Sequence, residues 1–254
     1  MTENKPRVAV YKFTGCAGCQ MELLRLEDEL LDIVEKIDVV YFMMAQSKED
    51  MGPYDICFVE GSVSTPRELE ELKVIRASSK VLVALGDCAI AGCIPSIRNY
   101  MSQSEVEEIV YDNITPIRSF RVRGIGEYVP VDINLPGCPP HKNLIYETIT
   151  AALQGILPDI KHHPVCVDCK LKENVCLLTS LGRACMGPVT KAGCGAICPS
   201  VGRVCEGCYG PMSDANPDEL AKVFRRAGLT EEDVVRKFRK YAGITEEFRK
   251  EAQI

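Results

Sequence analysis

The chain has 254 residues, of which 46% are hydrophobic and 26% charged, which is ordinary for one large domain or for a domain with a smaller second one. The net charge of −6 does not favour a nucleic-acid partner, because such proteins usually present a basic face. No run of about 18 apolar residues is present, so no membrane span is predicted. The first residues contain neither a twin-arginine pair nor a signal-like apolar region, and we expect cytoplasmic residence.

Fourteen cysteines are the unusual feature of this composition. In a reducing compartment disulfides are disfavoured, and clustered thiols are more often metal ligands or catalytic groups. Six cysteines are spread over the first 160 residues, whereas eight lie between Cys166 and Cys208. Eight is twice the number of thiolates that one iron–sulfur cubane or one structural zinc ion requires. The composition therefore predicts metal binding in this later segment.

Predicted strands and helices alternate through the first part of the chain. Strands are predicted at 7–13, 38–44, 55–61 and 80–86, and a last one begins the segment 128–140. Helices are predicted at 21–37, 66–78, 104–113 and 141–157. This alternation indicates a parallel, doubly wound α/β sheet of the flavodoxin-like type. We expect it to form a domain over residues 1–160, followed by a small, irregular iron–sulfur domain with C-terminal helices over 161–254.

Three glycine–cysteine segments come directly after predicted strands: TGCAGC, LGDC and LPGCPP. In an open parallel sheet such loops gather at the carboxyl edge, where ligands bind. We therefore expect the cysteines of these loops to converge there: Cys16, Cys19, Cys88 and Cys138.

From residue 161 onward, apolar residues no longer recur in a regular register. Such a segment buries too little apolar surface to order itself, so we expect bound metal to stabilise it. Its eight cysteines form two quartets, with the spacings C-x2-C-x6-C-x8-C and C-x3-C-P-x5-C-x2-C. Each quartet has one C-x2-C knuckle, whereas zinc ribbons usually pair two, and the nearby glycines and prolines can turn amide groups toward inorganic sulfide. These features favour iron–sulfur clusters over zinc, and both over disulfides.

The tail, residues 214–254, has a helical pattern in which Thr230 and Asp233 form a capping box. Its nine basic and nine acidic residues predict a solvated or partner-facing helical surface.

The segments FTGCAGCQ, FVEGSVS, LGDCAIAGC and LPGCPP, in this order and followed by the cysteine-rich segment, resemble the small, electron-transfer subunit of nickel–iron hydrogenases. The resemblance covers most of residues 7–210. The block CLLTSLGRACMGPVTKAGCGAICP and the lack of an export signal are most similar to the delta subunit of cytosolic sulfhydrogenases, which belong to the bidirectional, NAD(P)-linked group. Small subunits of F420-type and heterodisulfide-reductase-linked hydrogenases are close relatives of that group.

The resemblance implies three [4Fe-4S] clusters. It places the proximal cluster, nearest the nickel–iron centre, on Cys16, Cys19, Cys88 and Cys138. It places the distal cluster on Cys166, Cys169, Cys176 and Cys185, and the medial cluster on Cys194, Cys198, Cys205 and Cys208. Exported relatives have a histidine where Cys166 stands, and His163 is the alternative ligand; we favour Cys166 because four thiolates already satisfy one cubane.

Four further residues near these segments have weaker assignments. Cys57, inside a predicted strand, is interpreted as a small buried hydrophobe. Cys93 is interpreted as a bystander, since a quartet is complete without it. Glu60 and Glu22 are candidates for proton relay, although a loop-fixing hydrogen bond for Glu60 and a solvated helix position for Glu22 are favoured.

Three histidines complete the candidates, and none is expected to act in chemistry. His141 is expected to open its helix, and His162 and His163 to lie in an exposed hinge.

The resemblance implies that this chain carries electrons and is not catalytic alone. Hydrogen would be split at a nickel–iron centre on a partner large subunit. Electrons would leave through three clusters toward diaphorase-type partners that hold FAD or FMN and further iron–sulfur clusters, and that reduce NAD(P) or a similar acceptor. Which acceptor is used stays open, because that chemistry belongs to other chains.

Two other functions are weighed against this one. One is a small subunit of a quinone oxidoreductase of the complex I type, which shares the fold of the first domain. Such a subunit carries one cluster and does not need eight further cysteines. A zinc-stapled interaction module with no redox role is the second.

Overall fold

A computed structural model of the chain describes residues 5–47 and 49–253. Five parallel strands form one sheet in the order β2-β1-β3-β4-β5. Their bounds are β1 Arg7–Lys12, β2 Asp38–Phe42, β3 Tyr54–Glu60, β4 Ser79–Leu85 and β5 Ile133–Leu135. The parallel sheet with crossover helices confirms the predicted α/β, flavodoxin-like fold class.

Ten α-helices and two short 3-10 helices are found in the described part of the chain. The helices of the sheet region are α1 Gly18–Leu24, α2 Asp28–Val34, α3 Pro66–Ser78, α4 Asp87–Ala91, α5 Gln103–Val110 and α6 Lys142–Leu153, with 3-10 turns at Ile94–Tyr100 and Ile125–Glu127. The later helices are α7 Val165–Leu171, α8 Ile197–Ser200, α9 Pro217–Arg226 and α10 Glu231–Arg239. The capping box predicted from Thr65 and Glu68 is present at the start of α3.

Two predicted elements differ from the structure. The single helix predicted at 21–37 is broken into α1 and α2, because Glu27 adopts a left-handed φ of 53°. The break allows Leu26 to turn into the apolar layer under the sheet, where it is almost fully buried. The last strand is only three residues long, and the prolines that flank it, Pro130 and Pro136, have no amide hydrogen to contribute to a strand ladder.

The sheet is covered on both faces, and alternate residues of each strand face opposite layers. Val10 and Phe58 pack with α1, α2 and α6 on one face. Tyr11 and Cys57 pack with α3 on the other. Cys57 is fully buried there, as predicted, and burial raises its thiol pKa to about 12.

A third apolar cluster joins the cysteine-rich segment to the C-terminal tail. Met186 and Val189 of that segment pack with Phe224, Phe238 and Phe248 of the tail. The ring of Phe238 lies 5.3 Å from that of Phe248, edge to face, and 6.3 Å from that of Phe224. The tail is helical as predicted, but it is more than a solvated surface, because its apolar stripe supplies much of the core that the cysteine-rich segment lacks.

Polar contacts attach the tail at two further places. Glu206, between two cysteines, forms ion pairs with Lys237 at 2.9 Å and Lys240 at 3.1 Å. The Tyr100 hydroxyl donates to the Arg239 carbonyl at 3.1 Å, and the Arg239 guanidinium lies 4.3 Å from the Tyr100 ring centroid. These contacts hold α10 against both the cysteine-rich segment and the sheet region. Across the residues described, no helix is both long and apolar enough to cross a bilayer.

Candidate metal-cluster site

Four of the cysteines lie at the carboxyl edge of the sheet, on loops that follow three strands. Cys16 follows β1 and Cys19 opens α1, while Cys88 opens α4 after β4 and Cys138 follows β5. Gly86 allows the loop after β4 to lie against Cys19. Its φ is +83°, and a Cβ atom at this position would collide with the Cys19 sulfur. The loop after β4 can therefore reach Cys19 only with a glycine in place.

The electrostatics of Cys19 show that the four thiols converge. Burial raises its pKa, and the nearby Glu60, Cys88, Cys138 and Cys16 raise it further. Cys16 is exposed, whereas Cys19 and Cys88 are buried. The four loop cysteines thus lie near one another at the carboxyl edge, and their role as ligands of one cluster stays a prediction.

Cys93 lies buried near these four cysteines, and its interpretation as a bystander to the quartet stays a prediction. It is fully buried, and the nearby Cys138 and Cys88, together with burial, raise the pKa of its thiol. The contact with Cys93 lowers the pKa of Cys138, while Cys93 itself has a raised pKa. The one sequence signal for the burial of Cys93 is its position directly after Gly92, where the short helix α4 ends.

The two acids proposed for proton relay have ordinary structural contacts. Glu60 is buried and accepts hydrogen bonds from the backbone amides of Cys19 at 3.2 Å and Gln20 at 3.3 Å. Burial raises the Glu60 pKa, and these bonds partly offset that rise. Glu22 is half-buried on α1 and pairs with Arg25 at 2.7 Å. Glu60 therefore fixes the start of α1.

Asp87 is a second residue that the sequence did not single out. Its Oδ1 accepts from the Gly137 amide at 3.1 Å, and its Oδ2 is buried without a hydrogen-bond partner in the described part of the chain. Burial raises its pKa to about 7, although the Gly137 bond and Lys191 act in the opposite direction. Asp87 also lies near Cys208 and contributes to the raised pKa of that thiol.

The first later quartet, residues 166–185, comes together around α7. The pKa of Cys166 is raised to about 11 by burial and by the nearby Cys185, Cys169 and Cys176. Cys176 is the exposed member of this quartet. Two amide groups donate to sulfurs of this quartet. The Cys205 backbone amide lies 3.2 Å from the Cys185 sulfur, and the Asn174 side-chain amide lies 3.7 Å from the Cys169 sulfur.

The second later quartet lies between the other two groups. The Cys208 pKa is raised by burial and by neighbours that include Cys205, Cys194 and, from the sheet edge, Cys138. Burial raises the pKa of Cys205 to about 12, and the nearby Cys185 of the first quartet contributes to this rise. The Cys205 amide contacts the Cys185 sulfur, and Cys208 lines one pocket with Pro139, which follows Cys138. The three groups therefore form a row: sheet edge, residues 194–208, residues 166–185.

The histidines lie outside these groups. His141 caps α6, where its Nδ1 accepts from the Asn143 amide at 3.3 Å. The His163 ring lies 3.8 Å from Asp168 and 3.2 Å from the Pro164 carbonyl, and its own carbonyl accepts from Ala192. His162 is exposed, and His163 is half-buried.

The donor set fits iron–sulfur cubanes. Each group has four thiols, and backbone amides approach the sulfurs, as the Gly18 amide does at 3.4 Å from Cys16. Gly187 leaves room between Cys166 and Cys185, since a Cβ there would lie 3.3 Å and 3.5 Å from their sulfurs. Within residues 5–47 and 49–253, no three or more His, Cys, Asp or Glu side chains are placed to hold a single metal ion.

Comparison with known proteins places the chain in a class. Residues 16–152 match the family described as NADH ubiquinone oxidoreductase, 20 Kd subunit. The chain belongs to this family, and the matched region covers strands β2 to β5 and the sheet-edge cysteines but not the eight later ones.

Hydrogenase subunits are the relatives that extend beyond this region. The chain is 38% identical to sulfhydrogenase 2 subunit delta of Pyrococcus furiosus, over 93% of this chain and 99% of that protein. It is 31% identical to a subunit of the F420-non-reducing hydrogenase vhu of Methanococcus voltae, over 89% and 90% of the two chains. A chain in the crystal structure of an NAD+-reducing [NiFe]-hydrogenase in the H2-reduced state superimposes with a TM-score of 0.59 at 29% identity, over 63% of this chain and 97% of that one. The resemblance to small subunits of nickel–iron hydrogenases, with the sulfhydrogenase delta subunit among them, is confirmed.

Proposed function

We propose that this chain is the electron-transfer small subunit of a nickel–iron hydrogenase and holds three [4Fe-4S] clusters. When bound, the clusters would carry electrons between the nickel–iron centre of a large subunit and an acceptor chain. The observation that supports this most is the row of three cysteine groups, which runs from the sheet edge to the exposed Cys176.

The proximal cluster is assigned to the group at the sheet edge, Cys16, Cys19, Cys88 and Cys138. The medial cluster is assigned to Cys194, Cys198, Cys205 and Cys208, because Cys208 neighbours Cys138 and Cys205 neighbours Cys185. The distal cluster is then assigned to Cys166, Cys169, Cys176 and Cys185.

For the distal cluster, Cys166 is a better first ligand than His163. Cys166 has the other three cysteines of its quartet as neighbours. The His163 ring instead lies beside Asp168 and the Pro164 carbonyl.

The large subunit is proposed to dock at the carboxyl edge beside Cys16. Met21, Met43 and Met44 are exposed there, although methionine is usually buried. The last two line a cavity of about 470 Å³ that also contains Gln20, whose buried Nε2 has no partner among the described residues. Flexible methionines and an unpaired amide suit a protein partner that covers this edge.

Electrons are proposed to leave at the opposite end, where Cys176 is exposed, toward diaphorase-type partners that hold FAD or FMN. The similarity to an NAD+-reducing [NiFe]-hydrogenase favours NAD(P) as the final acceptor. Cytoplasmic residence and a domain boundary at residue 160 stay predictions.

The test uses the intact anaerobic complex with its large subunit and compares two activities. Isotope exchange between D2 and water reports on hydrogen splitting at the nickel–iron centre alone, whereas reduction of a soluble dye requires electrons to cross this chain. We expect Cys208→Ser to retain exchange and to lose dye reduction, with Cys57→Ser as the matched buried-thiol control. Unchanged dye reduction in Cys208→Ser, or a complex without a nickel–iron partner, would contradict the proposal.

A further inference from the structure

We propose that the acceptor chain docks on an exposed apolar surface beside Cys176, and that this partner is a redox protein with an acidic face. The inference rests on the proposed function, because it concerns the place where electrons would leave this chain. We name this region the exit surface. It consists of five exposed apolar residues from two segments of the chain: Leu171, Val175, Leu181, Ile197 and Val201.

The exposure of these side chains is the first observation. Leu171 is 78% exposed and Val201 is 70% exposed, and at least half of each of the other three is open to solvent. Single apolar residues are normal at a protein surface, whereas a group that meets on one face indicates an interaction site. Cys176, which is also exposed, follows Val175 directly. The exit surface therefore lies beside a proposed ligand of the distal cluster that is open to solvent.

Hydrogen bonds hold the two segments of the exit surface side by side. The Lys172 ammonium donates to the Gly195 carbonyl at 2.5 Å. The Asn174 side-chain amide donates to the Ser200 hydroxyl at 3.1 Å. Both bonds join the segment at the end of α7 to the segment around α8.

The apolar side chains of the two segments lie on one face as a result. Leu171 and Ile197 line the same cavity, which has a volume of about 480 Å³. Further along both segments, the Arg183 guanidinium donates to the Gly202 carbonyl at 3.4 Å. The exit surface is therefore a continuous face built from both later cysteine quartets.

The charge around the exit surface indicates the chemistry of the partner. Between residues 165 and 204 the chain has five basic and two acidic residues, whereas the whole chain has a net charge of −6. Of the two acids, Asp168 lies 3.8 Å from the His163 ring, and Glu173 is exposed. Four of the basic residues are exposed on the two segments: Lys170, Lys172, Arg183 and Arg203. A basic rim around an apolar centre suits a protein partner whose own face is acidic.

An anionic membrane would also attract a basic rim, but the composition of the exit surface favours a protein. Segments that bind a membrane interface usually form an amphipathic helix with Trp or Phe on its apolar side. Residues 165–204 contain no aromatic residue, and α7 and α8 have only seven and four residues. Electrons that leave beside Cys176 also require a redox partner, which a lipid surface does not provide.

The experiment measures hydrogen-driven reduction of two acceptors by this chain in complex with its large subunit, under anaerobic conditions. One acceptor is an acidic, plant-type [2Fe-2S] ferredoxin, which must dock before it is reduced. The other is methyl viologen, a dye that is too small to need a docking surface. Each acceptor takes one electron, so one hydrogen molecule reduces two of either kind and releases two protons. The ratio of ferredoxin reduction to viologen reduction therefore reports on docking.

Two variants of the exit surface have matched controls elsewhere on the chain. Leu171→Asp is paired with Leu157→Asp, because both leucines are 78% exposed. Arg203→Glu is paired with Arg226→Glu, which changes an exposed arginine on α9. We expect each exit-surface variant to lower the ratio about tenfold at low salt, and each control to keep the wild-type ratio. The wild-type ratio should also fall as salt is added, because salt screens the attraction between opposite charges.

A wild-type ratio in both exit-surface variants would overturn the inference and leave the proposed function intact, and so would a ratio that rises with salt. Binding of the wild-type complex to phosphatidylglycerol vesicles that Arg203→Glu abolishes would overturn it in favour of a membrane. A dimer of the complex that Leu171→Asp separates would overturn it in favour of a second copy. Absence of viologen reduction by the wild-type complex would instead overturn the proposed function.

Discussion

Replacing Gly86 with alanine perturbs the sheet-edge group at one atom. The residue has a φ of 83° and a ψ of 164°, a region that is essentially restricted to glycine, so alanine costs about 1–3 kcal/mol in backbone strain. The new Cβ would also collide with the Cys19 sulfur and lie 3.1 Å from the Gly137 carbonyl oxygen, which adds about 1–3 kcal/mol of overpacking. The total, about 2–6 kcal/mol, leaves a domain of ordinary stability folded but moves Cys19.

The assay is the iron content of the purified complex together with a denaturant titration. We expect Gly86→Ala to lose about a third of the iron bound by this chain, since one of three cubanes loses its ligand geometry. Gly155→Ala is the matched control: its φ is +70° and no atom lies within 4 Å of the added Cβ, so it costs about 1–2 kcal/mol and should retain all iron. Equal iron in the two variants would refute the reasoning.

Three further predictions concern the cysteine-rich segment and the tail. Phe238→Ala should lower the free energy of unfolding by about 3–5 kcal/mol in a denaturant titration, because the side chain is buried between two other rings. Burial tends to raise the Glu206 pKa, but its bonds to two lysines lower it overall. The free energy of unfolding of the wild type should therefore exceed that of Glu206→Gln by about 1 kcal/mol above about pH 5. This difference should shrink as the pH falls below the ordinary glutamate range and through the lowered pKa of Glu206. Melting temperatures across that range check it, and a difference that does not change with pH would contradict the ion pairs. Cys166→Ala should lose iron and His163→Ala should not; the reverse result would make the histidine the distal ligand.

The sequence was sufficient to predict the sheet because its signals are local. Apolar strands alternate with capped helices, and the Thr65–Glu68 box is present as expected. The break at Glu27 was not predictable in this way, since a non-glycine residue rarely adopts a positive φ and the gain, burial of Leu26, depends on the finished core. The apolar side of the tail depends on the tertiary structure in the same way: the charges of the tail are visible in the sequence, but the packing partners of Phe238 are not.

The candidate site likewise has features that the sequence predicts and features that depend on the finished fold. The convergence of the loop cysteines followed from the rule that loops after parallel strands share one edge. The burial of Cys93 and Asp87 could not be predicted in this way, because burial depends on the tertiary structure and not on the spacing of residues. The row formed by the three cysteine groups is equally a property of the fold, since the quartet later in sequence lies in the middle.

The number of iron and acid-labile sulfide atoms per chain, measured on the anaerobically purified complex, tests the central claim most directly. We predict about twelve of each for this chain, after the contribution of its partners is subtracted, as three cubanes require. About four of each would reduce the chain to a single-cluster subunit of the quinone-oxidoreductase type. Zinc without iron would contradict electron transfer altogether.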